Sequence, residues 1–398
     1  MPKQAQTMSL IKSEDKNKLF DPEKVSKEIT DDDLKAFHEI TNLEISSQQA
    51  DRITTPYEVL LRQKKVLAVH WHPEYIPMDL IRQRIQNTFP NRDEELIIPT
   101  QHNQIMSYDG EYSGVEVDCY SSGFKRKVQL LLHFKSSKLE NADVLKSMLA
   151  HTFEYRSSQL FDLMDTLIEP KWDDYRQLAA EGTGVGENVI RFAMIQTHKL
   201  RTLLEQHEHS ISREVLKNKI VRNFLDAQRH LYPENFINRV QVFVKSVKKV
   251  VKANFSLTYF YRTSEIIEEA RGIGGGIIVP HPEQFWPILL CDYDIDGYEV
   301  WNPQSQEYTD FLINVINRQN KSRSASTKKL LLFMGDDTHM SEKIKDSTQI
   351  EASKFYRDIG VQPAWDDLSI RKSLIVGSFS RKKMIDEYRE RLEGQLSL

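Results

Sequence analysis

Short apolar runs bounded by charged residues recur along this chain, and a long stretch of helical spacing separates the first four from the last three. The first, KKVLAVHWH from Lys64, is too short for a helix and suits a buried strand. Similar runs fall at Glu95 to Thr100, Gly114 to Asp118, Val128 to Phe134, Gly276 to Pro280, Gly297 to Trp301 and Lys329 to Met334. From Asn141 to Gly272 the spacing becomes helical, with Leu160, Leu163, Met164 and Leu167 at intervals of three and four. This pattern predicts a βα chain interrupted by a large helical insertion.

Ahead of the first strand, residues 1–60 are polar and read as an N-terminal extension with one short helix at Asp31 to Leu43, headed by Thr30-Asp31. The expected organisation is an extension over 1–60, strand-rich segments over 61–140 and 272–398, and the helical insertion over 141–271. The closing RKKMIDEYRERLEG alternates charge like an exposed helix with i to i+4 pairs.

Composition narrows the class. With 54 basic and 58 acidic residues the formal net charge is -4, so no global positive field calls for nucleic acid. The basic tract REVLKNKIVRNFLDAQRH, followed by KSVKKVVKAN, leaves a local nucleic-acid surface on the insertion open. Two cysteines in 398 residues do not make a disulfide framework, and no apolar run reaches signal-peptide or membrane-span length. A cytoplasmic protein without a membrane partner is expected; oligomeric state is not legible.

The chemistry sits at strand ends. In His70-Trp71-His72 the two imidazoles project to one side of an extended chain and Trp71 to the other, so both can grip one cation. Of 12 histidines, six lie in or just after the expected strands: His70, His72, His102, His133, His281 and His339. Glu116 stands inside the apolar run GVEVD, and Asp337 at the exit of LLLFMG; both would need compensation if buried. Imidazole mixed with carboxylate favours zinc, manganese or iron over calcium or magnesium.

Six motifs follow one another in order: VHWH ending at His72, TQHN around His102, GVEVD around Glu116, LLLHF at His133, GGGIIVPHP through His281, and GDDTH from Gly335 to His339. Together they resemble the PHP (polymerase and histidinol phosphatase) family of metal-dependent phosphoesterases, over roughly Lys64 to Met340. The resemblance implies a distorted (β/α)7 TIM-like barrel holding two or three divalent ions at the strand ends. It implies that His70, His72, Glu116 and Asp337 surround one ion, that Glu116 with His133 and His281 holds a second, and that His102 and His339 match a third site. Gln101 stands where the family has aspartate, and Glu74 or Asp79 is the available substitute for a further ligand after His72.

The implied activity is hydrolysis of a phosphate ester by metal-activated water, with Asp337, His339 and Glu116 as catalytic groups. A small phosphorylated metabolite or nucleotide is the expected substrate. A nuclease acting on DNA or RNA ends and a non-catalytic scaffold are the competing readings.

Overall fold

The computed structural model describes residues 21, 24–324, 327–345, 354 and 356–394. Each apolar run becomes a strand: β1 (Lys65–Ala68), β2 (Trp71–His72), β3 (Glu94–Ile97), β5 (Tyr112–Ser121), β6 (Arg126–Lys135), β7 (Gly276–Val279), β8 (Gly297–Trp301) and β9 (Leu331–Met334). Two short strands, β4 (Met106–Ser107) and β10 (Thr338–His339), were not expected. The fold is mixed α/β.

The strands form three ladders rather than one continuous barrel sheet. β1 pairs with β3, β2 with β10, and β4 to β9 make a six-stranded sheet in chain order. The described strands differ from a regular (β/α)7 ring in two respects. First, β4, β5, β6 and β7 pair antiparallel, and only β7, β8 and β9 run parallel within the large sheet. The few residues between Ser121 and Arg126 cannot carry a crossover helix, so β5 and β6 close as a hairpin. Second, Asn103 and Asp337 have φ of 55° and 48°, conformations that cannot extend a strand, and they interrupt the ladders beside β5 and between β9 and β10. Single backbone bonds span these breaks: Glu116 N to Gln101 O at 3.1 Å, Asn103 N to Glu116 O at 2.7 Å and Asp337 N to His70 O at 3.0 Å.

The chain divides into two compact units, Ile45–Phe153 with Leu257–Leu398, and Met1–Glu44 with Glu154–Ser256. In the first, helices α2 (Ser47–Thr54), α3 (Met78–Thr88), α9 (Thr263–Gly272), α10 (Thr309–Ser322), α11 (Arg371–Val376) and α12 (Arg381–Glu393) accompany the strands. The last helix differs from its sequence reading as an exposed, charged rod. Met384, Ile385, Tyr388 and Leu392 line one face at helical spacing and are buried in the strand core.

The second unit is helical: α1 (Asp31–Thr41), the later part of α4 (Asp143–Ile168), α5 (Asp173–Glu181), α6 (Glu187–Gln206), α7 (Lys219–Ala227) and α8 (Glu234–Asn254). The N-terminal segment is therefore not wholly an appendage, because Ala36 and Phe37 of α1 join the core of Phe192, Phe224 and Phe243. Asp33 anchors it. Its carboxylate completes the Thr30 capping box, accepts from Lys199 Nζ at 2.7 Å and accepts from Gln228 Nε2 at 3.0 Å. Removing one partner of a buried ion pair leaves the other charge unpaired, so Asp33→Ala is expected to cost about 3–5 kcal/mol. Urea unfolding followed by circular dichroism would show it as a lowered midpoint; an unchanged midpoint would contradict the pairing.

Among the described residues, no helix is long and apolar enough to cross a membrane. Cys119 and Cys291 are free thiols.

Candidate metal centre

Four chain segments distant in sequence bring their polar side chains together in the strand-bearing unit. The bend after β1 carries His70, and β2 carries His72. The segment after β3 carries His102, whose backbone bridges to Glu116 on β5. β10 pairs with β2 in the register Thr338 to Trp71 and His339 to His72, which places the Asp337-Thr338-His339 segment beside the two histidines. Trp71 points the other way into the apolar cluster, as alternation along an extended chain requires.

The result is a nest of donors facing one another. The Nε2 atoms of His70, His72 and His339 lie 3.7, 3.4 and 3.5 Å from a single oxygen, Asp337 Oδ1. His72 Nε2 is also 3.4 Å from Glu116 Oε2, and His102 Nδ1 is 2.8 Å from that same oxygen. Most of these separations exceed a hydrogen bond. Two atoms each about 2.1 Å from a tetrahedral ion are themselves about 3.4 Å apart, so the spacing is that of shared ligands. Two groups, His70 with His72 and Glu116, and His72 with His102 and His339, keep their ligand atoms within 4.8 Å of one another. His72 belongs to both and stacks between His102 and His339, with ring centroids 4.4 and 4.2 Å away.

A test of fit comes from the buried atoms that the chain leaves unsatisfied. His70 Nε2, both nitrogens of His72, Glu116 Oε2 and His281 Nδ1 are buried without a hydrogen bond. Unpartnered buried polar atoms are rare in native proteins, and five in one place call for a bound cation. His102 approaches Glu116 Oε2 closely but without hydrogen-bond alignment, as two lone pairs aimed at a third atom would.

The electrostatics divide the imidazoles by environment. Burial, followed by the neighbouring His339 and His102, pulls His72 down to about 3, which keeps its ring neutral and able to ligate. His70 is fully buried, yet the Glu299 carboxylate at 2.5 Å outweighs burial and raises it to about 10. His339 is raised to about 9 against the effect of burial by Asp337 and Glu74. Asp337 is held well below the usual carboxylate range, because His339, His72 and His70 together overcome its burial. Next to it, burial lifts Asp336 to about 7 although the Gly360 N–H and Thr338 oppose the rise.

Six of the eight ligands expected from sequence thus converge: His70, His72, His102, Glu116, Asp337 and His339. His281 borders the group, its ring 5.7 Å from that of His70 and its own N–H donated to Glu299 Oε1 at 3.4 Å. His133 does not join it. Both ring nitrogens are engaged, Nδ1 with Tyr388 Oη at 2.7 Å and Nε2 with the Val69 carbonyl at 3.0 Å. It ties β6 to α12 and to the end of β1, and burial lowers it to about 3.

Glu299 was missed by the sequence reading, though its signal matches that of Glu116: a carboxylate inside the apolar strand GYEVW. It holds His70 Nδ1 and accepts from Asn302 Nδ2 at 3.0 Å. A carboxylate on the far nitrogen fixes a ligating imidazole's tautomer and strengthens it as a donor. Gly335 makes room, because a Cβ there would overlap the Glu299 carboxylate. Glu299→Gln is expected to weaken metal binding about 10- to 100-fold, read by titration with a competing chelator. Wild-type affinity would separate Glu299 from the site.

Backbone strain gathers here as well. Among the described residues, six non-glycine positions have positive φ, and Glu74, Asn103, His281 and Asp337 are four of them. Such conformations cost on the order of 1–3 kcal/mol each and concentrate where function holds them. Glu74 stands 3.6 Å from His339 Nδ1. Asp79, the other substitute named from sequence, lies in the first turn of α3.

No family model matches the chain, and no curated protein does. Among solved structures, a protein of Bifidobacterium adolescentis provisionally named a metal-dependent phosphoesterase aligns with 80% of this chain and 98% of its own. At 17% identity and a TM-score of 0.43 the likeness assigns neither family nor function, and the geometry of the site stands by itself.

Proposed function

We propose that this chain is a PHP-type phosphoesterase using two or three divalent transition-metal ions, zinc, manganese or iron, to hydrolyse the phosphate ester of a small metabolite or nucleotide. The observation that carries the reading is the set of unsatisfied buried atoms on His70, His72 and Glu116, with His70 and His72 also facing the Asp337 carboxylate and His281 bordering them. The six ordered motifs support the family, as do the single backbone bonds that link the three ladders beside the site.

His70, His72, Glu116 and Asp337 would hold one ion, and His102 and His339 stand where a further ion would bind, with His281 at the border. Ions bound there would polarise the phosphoryl oxygens, activate water and offset the charge that grows on the leaving oxygen. The chain supplies placement. Gln304 donates to Asp337 Oδ2 at 2.7 Å and fixes which carboxylate oxygen faces the histidines. Arg357 brings its guanidinium within 3.5 Å of that oxygen, a positive group that a phosphate entering the site would meet. The His339 side chain is about one third exposed, at 32%, so with that further ion absent it can reach both substrate and water and deliver a proton to the leaving group.

A second reading, a nuclease, draws on one feature of the helical unit. Burial and then Lys252, Arg222 and Lys245 lower Lys248 to about 8, so cations crowd together on α7 and α8. Metal analysis of the purified protein, followed by turnover of nitrophenyl phosphate, small phosphate esters and labelled oligonucleotides, tests both. Ester hydrolysis with little salt dependence supports the first reading; steeply salt-dependent oligonucleotide cleavage supports the second. Absence of both bound metal and phosphate release would leave a scaffold.

A further inference from the structure

The helical unit carries a row of cations with almost no acid to answer them. On α8, Gln241, Lys245, Lys248 and Lys252 recur at intervals of four, three and four, so they line one stripe of the helix. The core uses a different face, because Val240, Val244, Val247 and Val251 are buried among the apolar side chains of the unit. Helix α7 flanks the stripe. At one end Gln241 donates to Asp226 Oδ1 at 2.6 Å, and Arg229 bonds the same oxygen at 2.8 Å. One turn before Asp226, Arg222 stands 4.0 Å from that carboxylate, its side chain 46% exposed, and comes near enough to Lys248 to oppose its charge.

The imbalance is written in the chain. No Asp or Glu occurs between Glu234 and Glu265, and Asp226 is the only one between Glu214 and Glu234. That single carboxylate is already engaged. Lys245 and Lys252 are exposed, whereas Lys248 is half-buried, and the charges acting on Lys248 are those of Lys252, Arg222 and Lys245, all cations. Among the described residues Lys245 and Lys248 make no hydrogen bond or ion pair. An ammonium drawn partly out of water without a counter-charge is costly, and like charges three and four residues away on the same helix add to the cost. An anion seated on the stripe would relieve both.

Length and chemistry narrow the ligand. From Lys245 to Lys252 the stripe runs about 10 Å at a rise of 1.5 Å per residue, which exceeds one phosphate and suits the successive charges of a nucleic-acid backbone. A helix that lies on an anionic membrane carries bulky apolar groups beside its cations. Among the described residues of α7 and α8, the one exposed large apolar side chain is Val242.

We propose that Lys245, Lys248 and Lys252 of α8, with Arg222 of α7, form a binding surface for the phosphate backbone of a nucleic acid. The surface belongs to the helical unit and needs no turnover, so it stands or falls apart from the phosphoesterase reading.

The test measures the Kd of the full chain for a labelled single-stranded oligonucleotide by fluorescence anisotropy over a series of salt concentrations. Affinity is expected to fall linearly in log-log form, each cation on the strand contributing about 0.7 to the slope. Lys245→Gln combined with Lys252→Gln should therefore lower the slope by about 1.4 and weaken binding about tenfold or more at low salt. The charge-keeping pair, Lys245→Arg with Lys252→Arg, should bind like the wild type. Both lysines are exposed, so circular dichroism should show an unchanged fold. An unchanged slope in the Gln pair, or no binding by the wild type at low salt, would overturn the proposal. Binding of phosphatidylserine vesicles in place of the oligonucleotide would overturn it in favour of a membrane surface. Loss of oligonucleotide binding in Asp337→Asn, with none lost in the Gln pair, would overturn it by placing the strand at the metal centre.

Discussion

Asp337→Asn should abolish phosphoester turnover, with kcat reduced by on the order of 1,000-fold or more and with metal content sharply lower. The substitution preserves shape but removes the charge that three imidazoles approach, at 3.4 to 3.7 Å. Loss of an outer partner of a ligand costs about 10- to 100-fold, and loss of the anionic ligand itself must cost more. His70, His72 and His339 would then face one another across a neutral amide, with nothing to balance a divalent ion. The fold should survive, because Asp337 lies outside all three apolar clusters and its backbone N–H still bonds His70 O at 3.0 Å. Elemental analysis, kcat and circular dichroism on one preparation decide the matter. A variant with wild-type turnover would detach Asp337 from the reaction.

Stripping the metal with a chelator should silence the enzyme to within about a hundredth of its starting rate and lower its Tm. A ligand that binds the native state alone stabilises it by RT ln(1 + [L]/Kd), about 2.7 kcal/mol at a hundredfold excess over Kd, and removal forfeits that stabilisation. The loss should be marked here, because both nitrogens of His72 and Oε2 of Glu116 would be left buried without partners. Activity and Tm should return together on adding manganese or zinc, each tried separately, and not with calcium, which prefers an all-oxygen shell. Full activity after exhaustive chelation would contradict the metal-dependent mechanism.

Much of this was legible in the chain because two periodicities are strong. Side chains alternate along a strand, so HWH by itself puts His70 and His72 on one side. The same reasoning applied to Glu116: a carboxylate inside an apolar strand has to be compensated. It should have extended to Glu299, whose run GYEVW carries the same signal, but no motif drew attention to it. His133 shows the opposite case. A histidine in an apolar strand looks like a ligand from sequence, and only the position of Tyr388, more than 250 residues away, reveals that its nitrogens are already engaged.

By itself the sequence determined the main strand segments, the helical character of the stretch between β6 and β7 and the residue types available for a cation, since these follow from local spacing and the cost of burying charge. Tertiary structure alone decided the antiparallel pairing of β6 with β7, the three-ladder arrangement, the burial of α1 and α12, and that His133 lies outside the donor nest. Those outcomes depend on which distant segments meet. A pairing between residues hundreds of positions apart leaves no periodic trace in either segment.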